Sequence, residues 1–247
     1  MDIEKINEQE YQLVKEANVK YGEYYNLAKQ LTEYSFDIIK SNYKGYLIVC
    51  LLYAPIPKCL TLTLLSIIRK HSYQHSLNIR TALDYLTLML YSMEKPDSEN
   101  FGCFNTEKVF KHDDNSVYNA SKWLKEKYGS AIDSFKHLKD IINQEFAHSN
   151  INNAKLNISI NEDFSTETKQ FDIVDDIDVE VQIMGFCSLL LNLYELIELV
   201  AKDYPNAIVL RDNFSSDLQN FIQKYLILEK TIFKEREEYF KTHSKNL

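Results

Sequence analysis

Five glycines and four prolines in 247 residues leave this chain few places to turn sharply. A many-stranded β architecture needs more turn-formers than that, and a phosphate-cradling loop needs more glycine. Long helices remain, and the apolar positions support them. Ala17, Tyr21, Tyr24, Ala28, Leu31 and Ile38 recur at close to a three-four spacing, the mark of an amphipathic helix over about residues 3–41.

The same reading extends along the chain. Residues 43–54 follow, Pro55 and Pro57 then break the run, and a buried helix is expected over about 58–70. Ile79, Leu83, Leu86 and Leu90 form one stripe of a helix over about 72–93, stopped at Lys95, Pro96 and Asp97. Residues 96–116 are the least organised and read as a loop carrying a short helix. Tyr128, Ile132, Phe135, Leu138, Ile142 and Phe146 support a helix over about 117–149, whose continuity Gly129 weakens.

At this point the period changes to two. Lys155–Ile160 and Lys169–Val174 each alternate polar and apolar residues across a polar loop, which predicts a β-hairpin at about 154–174. Asp175 to Asp178 suit a helix start, and Ile183, Phe186, Leu190, Leu193, Ile197 and Val200 carry that helix to about Tyr204. A last helix over about 215–241 has Leu218, Phe221, Tyr225, Leu228 and Ile232 in a heptad-like seam, facing either the core or a partner subunit. The expected fold class is all-α: one domain over 1–247, a helical bundle of about six or seven helices with one small β-hairpin. Its parts are N-terminal helices over 1–95, a central loop over 96–116, and helices with the hairpin over 117–247.

Charge narrows the partners. With 36 acidic and 28 basic residues the formal net charge is −8, whereas a protein that tracks phosphates carries a basic surplus. No DNA partner is expected, and contact with RNA requires a local basic patch. Cys50, Cys59, Cys103 and Cys187 are scattered, without metal-finger spacing, and read as free thiols in a reducing compartment. The opening MDIEKINEQE is unlike a signal or transit peptide. The apolar stretch 46–68 is cut by Pro55, Pro57 and Lys58 into two buried segments too short to span a bilayer. A cytoplasmic protein with no membrane partner is expected.

The local string with most chemical promise runs from Asp140 to Asn150 and contains Asn143, Glu145 and His148. His148 closes a long helix, where the dipole favours its cation, and in a cleft it would serve as a general acid or base. Glu145 lies one turn back on the same face. A helix ending in a polar residue, four further residues and a histidine, within an all-helical chain, resembles the HEPN superfamily. Many of its members are ribonucleases with an Arg-x(4–6)-His motif. The match covers Asn143 to His148 and, loosely, the helical architecture.

That resemblance implies a metal-independent endoribonuclease of prokaryotic defence or toxin type, with no cofactor, in which histidine handles protons and the motif arginine stabilises phosphate. This chain departs from the motif, because position 143 is Asn and positions 141 and 142 are Ile. Asparagine supplies no positive charge. Arg80 is the candidate substitute, although its spacing to Asp84 equally suits a structural ion pair on one helix face. The candidate catalytic set is therefore His148, Arg80, Asn143 and Glu145. His71 and His75 have a spacing able to hold a metal, but Arg69 and Lys70 beside them oppose a cation. A second function class stays open: a non-catalytic helical interaction protein, homodimeric through the C-terminal helix.

Overall fold

The computed structural model describes residues 2–104, 110–145, 155–161, 163 and 165–243. Eight helices dominate the described residues: α1 (Ile3–Tyr34), α2 (Leu47–Tyr53), α3 (Pro55–Ile68), α4 (Ser72–Glu94), α5 (Ser116–Tyr128), α6 (Asp133–Glu145), α7 (Asp176–Asp203) and α8 (Phe214–His243). Three two-stranded antiparallel pairs accompany them: β1 (Ile39–Asn42) with β6 (Ile208–Leu210), β2 (Gly102–Phe104) with β3 (Phe110–His112), and β4 (Ile158–Ile160) with β5 (Thr166–Thr168). The molecule is an all-α bundle, and the expected hairpin is the β4–β5 pair, with Ile158 opposite Thr168.

α1 ends earlier than its periodicity predicts. Ile39 pairs with Leu210 and Asn42 with Ile208, so what reads as the last turn of a helix is an edge strand held by a distant segment. α1 also breaks internally at Gly22, whose φ of 47° and ψ of −124° no side-chain-bearing residue adopts readily. Within the first half of the bundle, α2 and α3 run nearly as one. Ala54 between them keeps helical angles (φ −52°, ψ −36°), and Pro55 and Pro57 occupy the first turn of α3, where the missing N–H costs nothing. By length and composition the run Leu47–Ile68 is apolar enough to cross a membrane, as is Asp176–Asp203. The expectation of two buried segments holds for α3. In α2, Val49 and Tyr53 face inward but Leu47 and Leu51 do not.

α4 is the centre of the packing. It contacts α2, α3, α5, α6 and α7, and buries Ile79, Leu83, Leu86, Met89, Leu90 and Met93. Its N-terminus is capped from outside. The Asp172 carboxylate accepts the Ser72 backbone N–H at 2.5 Å and the Asn157 side-chain amide at 2.7 Å. Asp172 also donates its own N–H to the Lys70 carbonyl at 2.9 Å. This demand displaces the second hairpin strand from the expected Lys169–Val174 to Thr166–Thr168, because the chain around Asp172 is committed to α4.

The central loop holds a short 3₁₀ turn (Ser98–Asn100) and the β2–β3 pair. Phe101 is buried there against Leu88 and Ala120. The helix expected over 117–149 is broken at Gly129, where φ is 43° and ψ is −111°, into α5 and α6. At the far end of α4, Glu94 gathers three helices. Its carboxylate accepts from the Trp123 indole at 2.7 Å and from the Tyr204 hydroxyl, with Lys127 at 3.4 Å. The Tyr204 hydroxyl first, and then Trp123 and Lys127, hold the Glu94 carboxyl below the usual range.

α7 lies in the middle of the bundle, with Ile183, Phe186, Leu190, Leu193, Ile197 and Val200 all buried. Tyr194 is fully enclosed and donates its hydroxyl to the Leu31 carbonyl at 2.5 Å. The α8 seam packs on the same core. Leu218 and Ile232 are buried and Phe221, Tyr225 and Leu228 half-buried against it.

Asp172→Ala should lower the unfolding free energy by about 2 kcal/mol in chemical denaturation, since it removes a charged acceptor and orphans the Ser72 N–H. His75, on the first turn of α4, gives a pH dependence. Burial lowers its pKa from 6.5 to about 4, partly opposed by Asp172. Between pH 6.5 and 4 the unfolded chain binds a proton that the folded chain refuses, so stability falls as pH drops through that window and is fully present above it. His75→Gln should flatten the pH dependence of the unfolding free energy over that interval.

Candidate functional site

Three helices enclose the cavity of interest. α5 and α6 form a broken hairpin against α4, and between them lies a cleft of ≈ 460 Å³. Its floor is apolar: Leu83 and Leu86 from α4, Leu124 from α5, Phe135 from α6, with Ile132 and Leu196, all buried. Its rim is cationic. Lys122 and Lys125 reach it from α5, and Lys136 and Lys139 from α6, with Asp140 the carboxylate among the lining residues. Both lysine pairs are three residues apart, a spacing that puts each pair on one side of its helix. In a chain of net charge −8 this is a local reversal of sign.

Two of the four lysines have carboxylate partners. Lys139 pairs with Asp84 of α4 at 2.5 Å. Lys122 has only the exposed Glu126 one turn along its own helix, at 3.9 Å, a contact of small energetic consequence. The expected ion pair between Arg80 and Asp84 is not formed, because Lys139 arrives from the facing helix and takes the carboxylate. Arg80 is half-buried and forms no ion pair among the described residues.

Of the sequence candidates, Asn143 lines the cleft and Arg80 does not. α5 climbs beside α4, from Ala120 against Leu88 to Lys127 against Glu94, and twelve residues later Lys139 meets Asp84; α6 therefore descends as α4 ascends. One turn beyond the contact in each helix stand Arg80 on α4 and Asn143 on α6, on the same side of the pair. Asn143 lines the cavity, and its Oδ1 is shut off from solvent with no hydrogen-bond donor among the described residues. Glu145 is the last residue of α6. His148 lies outside the described residues. His71 is not on the helix with His75: it sits at the N-cap of α4, 3.1 Å from Glu10 and against the Phe171 ring. Among the described residues no three His, Cys, Asp or Glu side chains gather as a metal site would require.

No motif in the sequence marks the four lysines. Lys122/Lys125 and Lys136/Lys139 were visible as two i,i+3 pairs, but only the break at Gly129 turns the two helices so that both pairs face one cleft. Comparison with known protein families, curated proteins and solved structures finds no match to this chain.

An unpaired amide oxygen in such a cleft costs stability when no ligand is bound. Asn143→Leu should raise the unfolding free energy by about 1 kcal/mol, measured in denaturant. A loss of that size would mean that the amide already has a structural partner.

Proposed function

We propose that this protein is a HEPN-like ribonuclease of defence or toxin type, working in the cytoplasm, that takes RNA phosphates on the rim of the α4–α5–α6 cleft. The observation that carries the reading is the convergence of Lys122, Lys125, Lys136 and Lys139 on one cleft of an otherwise acidic protein. Sequence-independent RNA contact needs such a patch, because its affinity comes from displacing counterions at phosphates. The HEPN resemblance assigns the chemistry to His148, which would move the proton from the attacking 2′-hydroxyl to the leaving oxygen.

The missing motif arginine has two replacements in this reading. Lys136 and Lys139 supply charge beside Asn143, and Arg80 stands at the level of Asn143 on the neighbouring helix. A guanidinium or ammonium there would offset the charge that develops on the phosphate, a task beyond an asparagine. Asn143 would orient rather than neutralise.

The alternative of a non-catalytic, homodimeric interaction protein draws on a different surface. The α8 seam is used within the chain, but Leu226, Ile227 and Phe233 stay exposed on the outer side of α8. A dimer through α8 would cover these side chains rather than Leu218 and Ile232.

The test is binding and cleavage of single-stranded RNA by the purified protein and its variants. Lys122→Glu with Lys136→Glu should weaken binding at least tenfold. The logarithm of wild-type affinity should fall with the logarithm of salt at a slope of about −2, as expected for three phosphates met by Lys122, Lys125 and Lys136, the lysines that Asp84 does not hold. His148→Ala should abolish cleavage and leave binding intact. Binding without cleavage by the wild type would remove the enzyme from the proposal, and absence of binding would remove RNA altogether.

A further inference from the structure

The outer face of α2 is apolar along its length. Along the nearly continuous run Leu47–Ile68 the exposed residues are Leu47, Leu51, Ala54 and Lys58, at i, i+4, i+7 and i+11. This is one stripe of a helix. A surface helix normally turns polar residues outward, but α2 reads LIVCLLY and has none but a terminal tyrosine to turn. Leu47 is 63% exposed and Leu51 60%. The chain entering α2 adds two more apolar groups, Phe36 and Tyr43, at 58% and 46%.

Charge around the stripe has one dominant sign. From residue 38 to residue 83 there is no Asp or Glu, while Lys40, Lys44, Lys58, Arg69, Lys70 and Arg80 all fall in that interval, in a chain whose acids outnumber its bases. Arg69 and Lys70 are turned to Glu10 and Asp176. Lys40, Lys44 and Lys58 flank the exposed stripe, and Lys44 and Lys58 form no ion pair among the described residues. Asp37, beside Phe36, precedes the interval in the sequence, and Asp212 pairs with Lys40 at 2.7 Å.

We infer that the stripe Leu47–Leu51–Ala54, with Phe36 and Tyr43 and the lysines 40, 44 and 58, docks the protein peripherally on an anionic lipid surface. The residue types are those of an interfacial helix: leucine and aromatic side chains to enter the acyl boundary, ammonium groups at its margin to meet the headgroups. An acidic peptide would answer the same charges. It would also need pockets for its own side chains; Leu47, Leu51, Ala54 and Lys58 line no described cavity, and Tyr43 alone borders one, an open hollow beside the β1–β6 pair. An exposed apolar stripe edged by lysines suits a soft, anionic partner. The contact is with the surface only, because the inward faces of α2 and α3 remain in the core, where Val49, Tyr53, Ile56 and Leu60 are buried.

Vesicle co-flotation of the full chain tests this without reference to RNA. The protein should float with vesicles of phosphatidylcholine containing 30% phosphatidylserine, and remain at the bottom with phosphatidylcholine alone. Leu47→Ser with Leu51→Ser, both exposed and so compatible with the native fold, should reduce binding at least tenfold with unchanged thermal unfolding. Lys44→Glu with Lys58→Glu should do the same, and 0.5 M salt should weaken the wild type. Failure of the wild type to float with anionic vesicles overturns the inference, as does flotation that survives both double variants. A wild-type dimer in solution that Leu47→Ser with Leu51→Ser dissociates would assign the stripe to a second copy of the chain instead.

Discussion

The whole arrangement depends on one buried helix and on the way its start is held. α4 is in contact with five other helices, so its direction sets the positions of α2 and α3 on one side and of α5 and α6 on the other. A helix entering a core brings unsatisfied N–H groups with it. Here the first of them is met by Asp172, a carboxylate from the segment after the hairpin, which Asn157 holds in turn. At the other end Glu94 ties α4 to Trp123 of α5 and to Tyr204 after α7. Between these two anchors the Asp84–Lys139 pair sets the level of α6, and so where Arg80 and Asn143 stand.

How much of this was legible in the sequence follows from the range of each interaction. Helices whose apolar residues repeat within a few turns could be read directly: the six residues singled out in α7 are all buried, as are Leu83, Leu86 and Leu90 of α4. What escaped was non-local. The β1–β6 pair joins segments from opposite ends of the chain in strands too short to show an alternation. The second hairpin strand was misplaced because Phe171 to Val174 alternates for another reason, Asp172 being drawn to α4. Arg80 and Asp84 have the right spacing for a pair, yet spacing on one helix does not include the lysine that arrives from another.

The candidate site shows the same division. Asn143 and Arg80 were picked out singly, and the structure sets both one turn from the same interhelical contact. The lysine rim was missed because its members lie on two helices whose relative turn depends on a left-handed glycine. Glu145 is the last described residue of α6 and His148 lies outside the described residues, so the proton-transfer half of the proposal rests on the HEPN resemblance, and the charge half on the cleft.

Charge is distributed unevenly in a way that net charge conceals. The acidic excess leaves two cationic zones, the cleft rim on α5 and α6 and the margin of the α2 stripe, and the proposed RNA site belongs to the first alone. Lysine acetylation footprinting, read by mass spectrometry with and without single-stranded RNA, separates them directly. Protection of Lys122, Lys125 and Lys136 by RNA, with Lys44 and Lys58 modified as before, is the result expected of a phosphate-binding cleft. Equal modification of the three cleft lysines with and without saturating RNA, or protection confined to other lysines, would contradict it.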